Sequence, residues 1–298
     1  MAENKSTTIK SEHDLSERIN WFPGHMTKAL REVKQKIKKV DILVEIRDAR
    51  IPQASGNPSI SEIAQNKPRL IVLNKSNLAD MESCKRWESW FLKAEQTAIF
   101  INALKPSSVK KITTMSRRLL QDKWQKYKDK GINTPPIRML VVGIPNTGKS
   151  TVINRLTKRN AAKTGDRPGV TRHQEWIVLD KDIELLDTPG IMPPRIDTMQ
   201  QGMWLCAIHA IKDEIVGKEK VATFLVDFLI SRNSSELKKR YRLDCLDHNA
   251  EELILQIGHR LNYKKHKGIV DYYKTCNQVL LDFRKGLLGN CSFEEPPV

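Results

Sequence analysis

The segment GIPNTGKS at residues 143–150 constrains the fold of this chain more than any other feature. It has the Gly-x-x-x-x-Gly-Lys-Ser spacing of a phosphate-binding loop, follows the apolar run 138–143 and precedes a helical pattern at 149–159. Glycines at both ends of such a loop let backbone N–H groups turn toward a phosphate, where Lys149 adds a positive charge and Ser150 offers a hydroxyl to Mg²⁺. This strand, loop and helix predict one unit of a P-loop α/β fold.

Short apolar runs alternate with helical patterns through the first two thirds of the chain. Apolar strands that alternate with helices predict a mostly parallel sheet covered on both faces. The last two runs are separated only by Lys181-Asp182, which predicts a hairpin. The predicted strands are 40–49, 69–74, 98–102, 138–143, 175–180 and 183–187, and the predicted helices are 26–39, 81–95, 108–130 and 149–159.

The pattern changes after Pro193-Pro194, where strand-like runs stop and only helical spacing follows. We expect a flexible arm at 1–18, an α/β domain at 19–200 and a small all-α domain at 201–298. The predicted helices of the last part are 199–216, 219–231, 234–241, 249–260 and 268–285.

Lysine and arginine exceed acidic residues by 51 to 35, a net charge of +16, and this surplus is clustered. Segment 105–130 holds nine cations against Asp122 and Asp129, and segment 155–173 holds six against Asp166. Such clusters are typical of a nucleic-acid partner, although solvated helix faces are the alternative. The absence of any apolar stretch near the roughly 20 residues of a membrane helix argues against a membrane partner.

The sequence DTPG at 187–190 ends the second strand of the predicted hairpin. Asp187 is positioned to reach Mg²⁺ through water, and the Gly190 N–H to face a terminal phosphate and sense its loss. Between the two motifs lies GDRPGVTR at 165–172, in which Thr171 is a candidate switch residue that closes on Mg²⁺. The alternative for that segment is a surface loop with Gly-Pro turn chemistry.

The sequence LNKSN at 73–77 resembles the guanine-reading motif Asn-Lys-x-Asp at the end of a strand. Asn74 would join the base pocket to the phosphate loop, and the stem of Lys75 would stack over the base. Asn77 stands where a carboxylate is usual, and its NH₂ group would oppose a donor of guanine. Asp80 is a possible substitute carboxylate.

A second short segment, NAL at 102–104, is similar to the loop whose backbone N–H reads guanine O6. It supplies Asn102 and Ala103 as candidate base contacts. The match is short and by itself carries little weight.

The motifs occur in permuted order, because both base motifs precede the phosphate loop. In this respect the chain resembles the circularly permuted GTPases of the YlqF/RbgA type, which act in large ribosomal subunit assembly. The resemblance extends from residue 19 nearly to the end of the chain. It includes WFPGHM at 21–26, DARIP at 48–52, GNP at 56–58, DRPGVT at 166–171, GIVDYYKT at 268–275 and RKGLLG at 284–289.

The resemblance implies a circularly permuted P-loop G domain with a mostly parallel six-stranded sheet, followed by a small all-α domain. It also implies that hydrolysis proceeds without a glutamine after DTPG, where Ile191 stands. His25 would orient the attacking water, although an RNA contact or a turn residue is the alternative. Asn146 would coordinate K⁺, which is expected beside Mg²⁺.

Motifs and resemblance together predict His25, Lys149 and Thr171 as catalytic, Ser150, Thr171 and Asp187 as Mg²⁺ ligands, and Asn146 as a K⁺ ligand. The residues expected to contact GTP or GDP are Asn74, Lys75, Asn77, Asn102, Ala103, Asn146, Thr147, Gly148, Lys149, Ser150, Thr151 and Gly190.

The resemblance implies a GTP hydrolase that acts as a nucleotide-switched assembly factor on the large ribosomal subunit precursor and its rRNA. The basic patch RLNYKKHK at 260–267 is a candidate RNA contact or a solvated turn. We expect a cytoplasmic monomer rather than a mitochondrial matrix protein, because residues 1–18 contain four acidic residues. The alternatives are a P-loop ATPase or relaxed-specificity NTPase, which Asn77 would favour, and an RNA-binding scaffold with vestigial hydrolysis.

Overall fold

A computed structural model describes residues 24–64, 67–157, 176–188, 190–193 and 195–297, with side chains from residue 28 onward. Its centre is a six-stranded sheet in the order β3-β2-β1-β4-β6-β5. All neighbouring strands are parallel except β5 and β6, so the predicted mostly parallel sheet with a terminal hairpin is confirmed. The strands are β1 Ile42–Asp48, β2 Arg69–Asn74, β3 Ala98–Phe100, β4 Ile137–Val142, β5 Ile177–Asp180 and β6 Ile183–Asp187.

The register of the sheet brings the polar ends of its central strands to one edge. Asp48 at the end of β1 lies opposite Asn74 at the end of β2, and Asp187 of β6 lies opposite Val141 of β4. Strand β4, which leads into the phosphate loop, lies between β1 and β6. Ligand sites of open α/β sheets form beyond the carboxyl ends of the strands, and the predicted motifs are at this edge.

The helices that cover the sheet differ from the prediction in two places. The predicted helix 108–130 is two helices, because the buried Leu120 leaves helical geometry at φ −107° and ψ 7°. A helix after Asn57 was not predicted; the Asn57 side chain accepts from Ser59 N and Pro58 occupies the first turn. These helices are α1 Gly24–Lys36, α2 Pro58–Ile63, α3 Met81–Lys93, α4 Pro106–Leu119, α5 Gln121–Asp129 and α6 Lys149–Thr157.

The part of the chain after residue 198 is helical, as predicted, although two helices are shorter than expected. The helix predicted at 199–216 ends at Ala207, and the one predicted at 268–285 begins at Tyr272, after the cap residue Asp271. Within the described ranges, no helix combines the length and apolar content that crossing a membrane requires. The helices are α7 Met199–Ala207, α8 Lys218–Ser231, α9 Ser235–Tyr241, α10 Ala250–Arg260 and α11 Tyr272–Arg284.

The hydrophobic core of these helices extends into the α/β part. It includes Ile51 after β1, Ile144 of the phosphate loop and Met192 after the DTPG segment, each at most 1% exposed. Burial of apolar side chains is the largest favourable term in folding. The helices are therefore packed directly against the phosphate loop, and the predicted boundary near 200 stays a prediction.

The C-terminal segment 291–295, which we call the strap, crosses from the helices to the edge of the sheet. Cys291 N donates to Leu78 O at 3.0 Å, and Phe293 N donates to Arg50 O at 2.9 Å. The carboxylate of Glu294 accepts from the backbone N–H groups of Gln53 and Ala54, at 2.8 and 2.9 Å. The strap is thus attached on both sides of the polar edge.

Glu294 makes the attachment of the strap dependent on pH. Burial raises the pKa of its carboxyl to about 7 from an ordinary 4.5, and the two backbone N–H donors only partly oppose this. The folded chain then holds a proton that the unfolded chain releases. This contribution to the free energy of unfolding is present below pH 4.5 and is lost as the pH rises through 7. We expect a loss of about 2–3 kcal/mol between pH 5 and 8 in urea unfolding.

The variant Glu294→Gln should lack this pH dependence. Glu295→Gln is the matched control, because Glu295 is the half-exposed partner of Arg86 and should leave the profile unchanged. A Glu294→Gln protein whose stability kept the wild-type pH profile would contradict the assignment of this pH dependence to Glu294.

Candidate nucleotide-binding site

The phosphate loop between β4 and α6 needs glycine at two positions. Gly143 has φ +153° and Gly148 has φ +92°. A Cβ at Gly143 would lie 2.3 Å from the Ile46 carbonyl oxygen, and a Cβ at Gly148 would lie 2.3 Å from Asn74 Nδ2. The backbone therefore passes close to β1 and β2 at these two points, which accounts for the spacing of the motif.

The base motif of residues 73–77 and the phosphate loop are joined by side chains. Asn74 Nδ2 donates to Thr147 O at 2.8 Å, and Asn74 Oδ1 accepts from Ala103 N at 3.0 Å. Lys75 Nζ donates to Asn146 O at 2.6 Å. Three segments that are far apart in sequence thus meet at one place, and Asn74 contacts both of the others.

The buried carboxylate of Asp48 forms an ion pair with Lys75. Asp48 accepts from Arg50 Nε and Nη2, both at 2.9 Å, and lies 3.0 Å from Lys75 Nζ. Burial by itself raises the pKa of Asp48, but the two cations outweigh it and hold that pKa far below its ordinary value. The carboxylate stays ionised and fixes the lysine head beside the phosphate loop.

From the sequence, the segment DARIP at 48–52 supported only the family resemblance, and no role was predicted for Asp48 or Arg50. The available signal was their place directly at the end of an apolar strand, where polar residues of a parallel sheet collect.

On the phosphate side, Lys149 and Asp187 are both partly buried and interact electrostatically. Burial lowers the pKa of Lys149, and the charge of Asp187 opposes that shift. Burial also raises the pKa of Asp187, and Lys149 opposes it in turn. The Asp187 carboxylate and the Ser150 hydroxyl at the start of α6 form a set of hard oxygen donors, which is the kind that Mg²⁺ prefers.

Two of the predicted catalytic groups cannot be placed. Thr171 lies outside the described residues, and His25 is in the first turn of α1 with its side chain outside the description. The body of α1 packs beside the DTPG segment, because Val33 shares a hydrophobic cluster with Leu186 and Ile191. The roles of His25 and Thr171 therefore stay predictions.

The segment after β6 rests against the phosphate loop. Ile191 N donates to Gly143 O at 3.1 Å, and a Cβ at Gly190 would lie 3.0 Å from Pro145. Asn57 Nδ2 donates to Ile191 O at 3.0 Å, which connects the GNP segment to this point. A displacement of Gly190 would therefore change contacts that the phosphate loop makes through Gly143 and Pro145.

The phosphate loop also contacts the C-terminal helices through Asn146. Its Nδ2 donates to the carbonyl oxygen of His209 at 2.7 Å, just beyond the end of α7. Arg284 at the end of α11 holds this turn, since it donates to Cys206 O and Ala207 O and forms a bidentate ion pair with Asp213. The sequence did not predict a role for His209 or Asp213, and Arg284 entered only as the first residue of the RKGLLG segment of the resemblance.

The other residues that the sequence predicts beside the base are Asn77 and Asn102, with Asp80 as a possible substitute for Asn77. Asn77 is exposed, and Asp80 has a structural role as the cap of α3, because its Oδ1 accepts from Ser83 N at 2.7 Å. Asn102 N donates to Ser108 Oγ, and Asn102 Oδ1 accepts from Leu104 N. The backbone N–H groups of 102–104 thus already have acceptors, which a base would share or displace.

The chain is similar to GTPases over nearly all of its length. Residues 138–262 match the family described as 50S ribosome-binding GTPase. Ribosome biogenesis GTPase A of Bacillus cereus is 45% identical over 278 residues, which is 93% of this chain and 94% of the relative. The chain belongs to the ribosome biogenesis GTPase A family. Mitochondrial ribosome-associated GTPase 1 of Mus musculus is 31% identical, over 93% of this chain and 89% of that protein.

The fold of this ribosome biogenesis GTPase A family member agrees with a solved relative. GNP-bound YlqF of T. maritima is 26% identical with a TM-score of 0.64, covering 90% of this chain and 98% of that one. The predicted permuted G domain with a following helical part is confirmed, as is the GTPase activity. The alternatives of an ATPase or a scaffold with vestigial hydrolysis are not favoured.

The contact between Arg284 and the α7 turn generates a test of nucleotide affinity. Arg284→Lys keeps the charge but cannot reach Cys206 O, Ala207 O and Asp213 together. We expect the turn that presents the His209 carbonyl to loosen. The binding free energy of GTP should weaken by about 1 kcal/mol, which raises its Kd roughly fivefold. Titration with a fluorescent GTP analogue measures it.

Arg240→Lys is the matched control. Arg240 lies at a similar ion pair with Asp282 of α11 but does not reach the α7 turn. Equal GTP affinities of the two variants would show that the turn does not act on the phosphate loop.

A second test concerns the role of Asn77 in the selectivity for guanine. A carboxylate accepts from both N1–H and the 2-amino group of guanine, whereas an amide matches one donor and opposes the other. Asn77→Asp should lower the Kd for GTP about tenfold and raise the preference for GTP over XTP. Competition of GTP, XTP and ATP against labelled GDP measures this, with Asn77→Ser as the control. An unchanged ratio in Asn77→Asp would mean that another group reads the base.

Proposed function

We propose that this GTPase is a nucleotide-switched assembly factor for the large ribosomal subunit. The observation that carries the proposal is the hydrogen bond from Asn146 of the phosphate loop to the His209 carbonyl of the helical part. A loop that surrounds the phosphates is thereby attached to the helices that follow DTPG. The names of the relatives, ribosome biogenesis GTPase A and 50S ribosome-binding GTPase, support the large subunit as the target.

In this proposal the polar edge of the sheet holds GTP or GDP. The base is surrounded by Asn74, Lys75, Asn77, Asn102 and Ala103. The phosphates are surrounded by the phosphate loop and by Gly190. Mg²⁺ would be held by Ser150, Thr171 and Asp187, and K⁺ by the Asn146 side chain. The loop contacts are Asn146, Thr147, Gly148, Lys149, Ser150 and Thr151.

The water-orienting group must come from outside the usual position. Ile144 and Ile191 are both fully buried, and their apolar side chains cannot orient water. We assign that task to His25, whose helix packs beside Ile191. Lys149 stabilises charge on the β/γ oxygens, and Mg²⁺ supplies electrostatic stabilisation of the transferred phosphoryl group when bound. Docking on a ribosomal particle would place the first turn of α1 against the nucleotide.

The rest of the proposal concerns organisation and location. We assign residues 19–200 to the G domain and 201–298 to a helical domain that contacts rRNA, with the basic patch 260–267 as one contact. The arm at 1–18 precedes them. We propose a cytoplasmic monomer, and the identity of 45% to a protein of Bacillus cereus supports the location.

The test is GTP hydrolysis with and without purified large subunits, in K⁺ and in Na⁺. We expect at least tenfold stimulation by subunits, greater in K⁺. His25→Ala should lower the stimulated kcat by about 10²–10³ with little change in GTP affinity, because positioned acid–base groups contribute that much. His248→Ala is the control, since His248 pairs with Glu252 on the remote helix α10.

Large subunits that neither bind the protein nor accelerate its hydrolysis would refute the assembly role. Equal rates for His25→Ala and His248→Ala would refute the role of His25 alone.

A further inference from the structure

Helix α5 is packed only weakly against the rest of the protein. None of its nine residues is buried, and only Trp124 is packed, partly, against the core of the sheet. Helices this short are marginal in water unless a face is buried, because the first turn is costly to form. The described part of the chain therefore leaves most of α5 without a partner.

Helices α4 and α5 present cations on their outer side. Helix α4 buries Val109, Ile112 and Ser116 toward the sheet. The opposite arc carries Lys110, Lys111, Arg117 and Arg118, whose spacing places them on one face. On α5, Lys123, Lys126 and the cap residue Lys130 recur at the same kind of spacing. We call this surface the α4–α5 face.

Most of these charges are not neutralised within the protein. Arg117 pairs with Asp180 and Asp182, and Lys123 pairs with Asp41. The other cations have no carboxylate within ion-pair distance among the described residues. These are Lys105, Lys110, Lys111, Arg118, Lys126, Lys128 and Lys130, all exposed.

The cations of this face lie close enough to one another for mutual repulsion. Like charges one helical turn apart repel each other, as Lys126 and Lys130 do, and each such pair weakens the helix. A polyanion laid along the face would remove that repulsion and release its own counterions.

The chemistry of the face selects RNA over a membrane. Among the described residues, none of the well-exposed large hydrophobic side chains belongs to α4 or α5, so the two helices offer no apolar anchor. The rings of Trp124, which packs partly against the core, and Tyr127 lie 6.5 Å apart, so the aromatic side chains of α5 are at the inner margin of the face. A surface of exposed cations with no apolar anchor fits the phosphates of a nucleic acid better than a lipid bilayer.

We propose that the α4–α5 face binds the phosphate backbone of ribosomal RNA. The two helices have lengths of about 21 and 14 Å, enough for several successive phosphates. The inference rests on the proposed function, since it identifies a surface through which the GTPase docks on the large subunit. This surface belongs to the α/β part and is separate from the basic patch 260–267.

The test compares the salt dependence of binding for two variants of equal charge, with purified large subunits and with their protein-free rRNA. Four neutralised phosphate contacts should lower the slope of log K against log salt by about 3, at roughly 0.7–0.9 per contact. We expect at least a tenfold loss of affinity at 150 mM KCl. The face variant combines K110Q, K111Q, R118Q and K126Q.

The control variant changes four exposed lysines on other surfaces and should keep the wild-type slope to within about 1. Both variants should keep the GTPase rate measured without RNA. The control combines K85Q, K93Q, K220Q and K239Q, which lie on α3, α8 and α9.

The outcomes separate the two levels of inference. A wild-type protein that binds neither subunits nor rRNA would refute the proposed function itself. If the wild type binds but both variants lose the same slope, net charge alone decides and the α4–α5 face is refuted. A loss seen with subunits and not with protein-free rRNA would assign the face to a ribosomal protein and refute the RNA contact.

Discussion

The hydrogen bond from Asn74 to the Thr147 carbonyl joins two segments that lie 73 residues apart in the chain. In this chain the base motif precedes the phosphate loop, and side-chain contacts join the two motifs in addition to the sheet pairing of β2 and β4 with β1. Gly148 permits this bond, because any Cβ there would occupy the place of the Asn74 amide. Lys75 adds a second connection at the Asn146 carbonyl. The geometry of the whole polar edge depends on these few atoms.

Behind them, the ionised Asp48 carboxylate extends the same arrangement to the helices. Arg50 binds this carboxylate, lies 5.1 Å from the Phe283 ring of α11, and offers its own carbonyl to the strap. Next to Phe283, Arg284 holds the turn that contacts Asn146. The end of α11 thus supports the base side and the phosphate side together. Removing one partner from a buried ion pair costs about 3–5 kcal/mol, so we regard Asp48 and Arg50 as a structural unit.

Much of the fold and part of the site could be predicted from local patterns. The six strands, the hairpin and the loop were evident from apolar runs with turn residues at their ends, because those signals are local. The helix after Asn57 was missed although Asn57 and Pro58 are a local start signal, because the helix is only six residues long. The break at Leu120 was not evident, since it depends on what the buried Leu120 packs against. Asp80 shows the same limit: spacing made it a candidate base contact, but its carboxylate caps α3.

The sequence by itself determined the P-loop unit, the permuted order of the motifs, the apolar residues at 144 and 191, and the excess of positive charge. Each is a matter of residue type and spacing. Only the tertiary structure decided that Asn146 meets His209, 63 residues away, and that Glu294 meets Gln53, 241 residues away. Periodicity indicates that a side is buried, but it does not indicate which distant segment covers it. Those partners depend on how helices and sheet pack, and that packing connects the phosphate loop to the C-terminal helices.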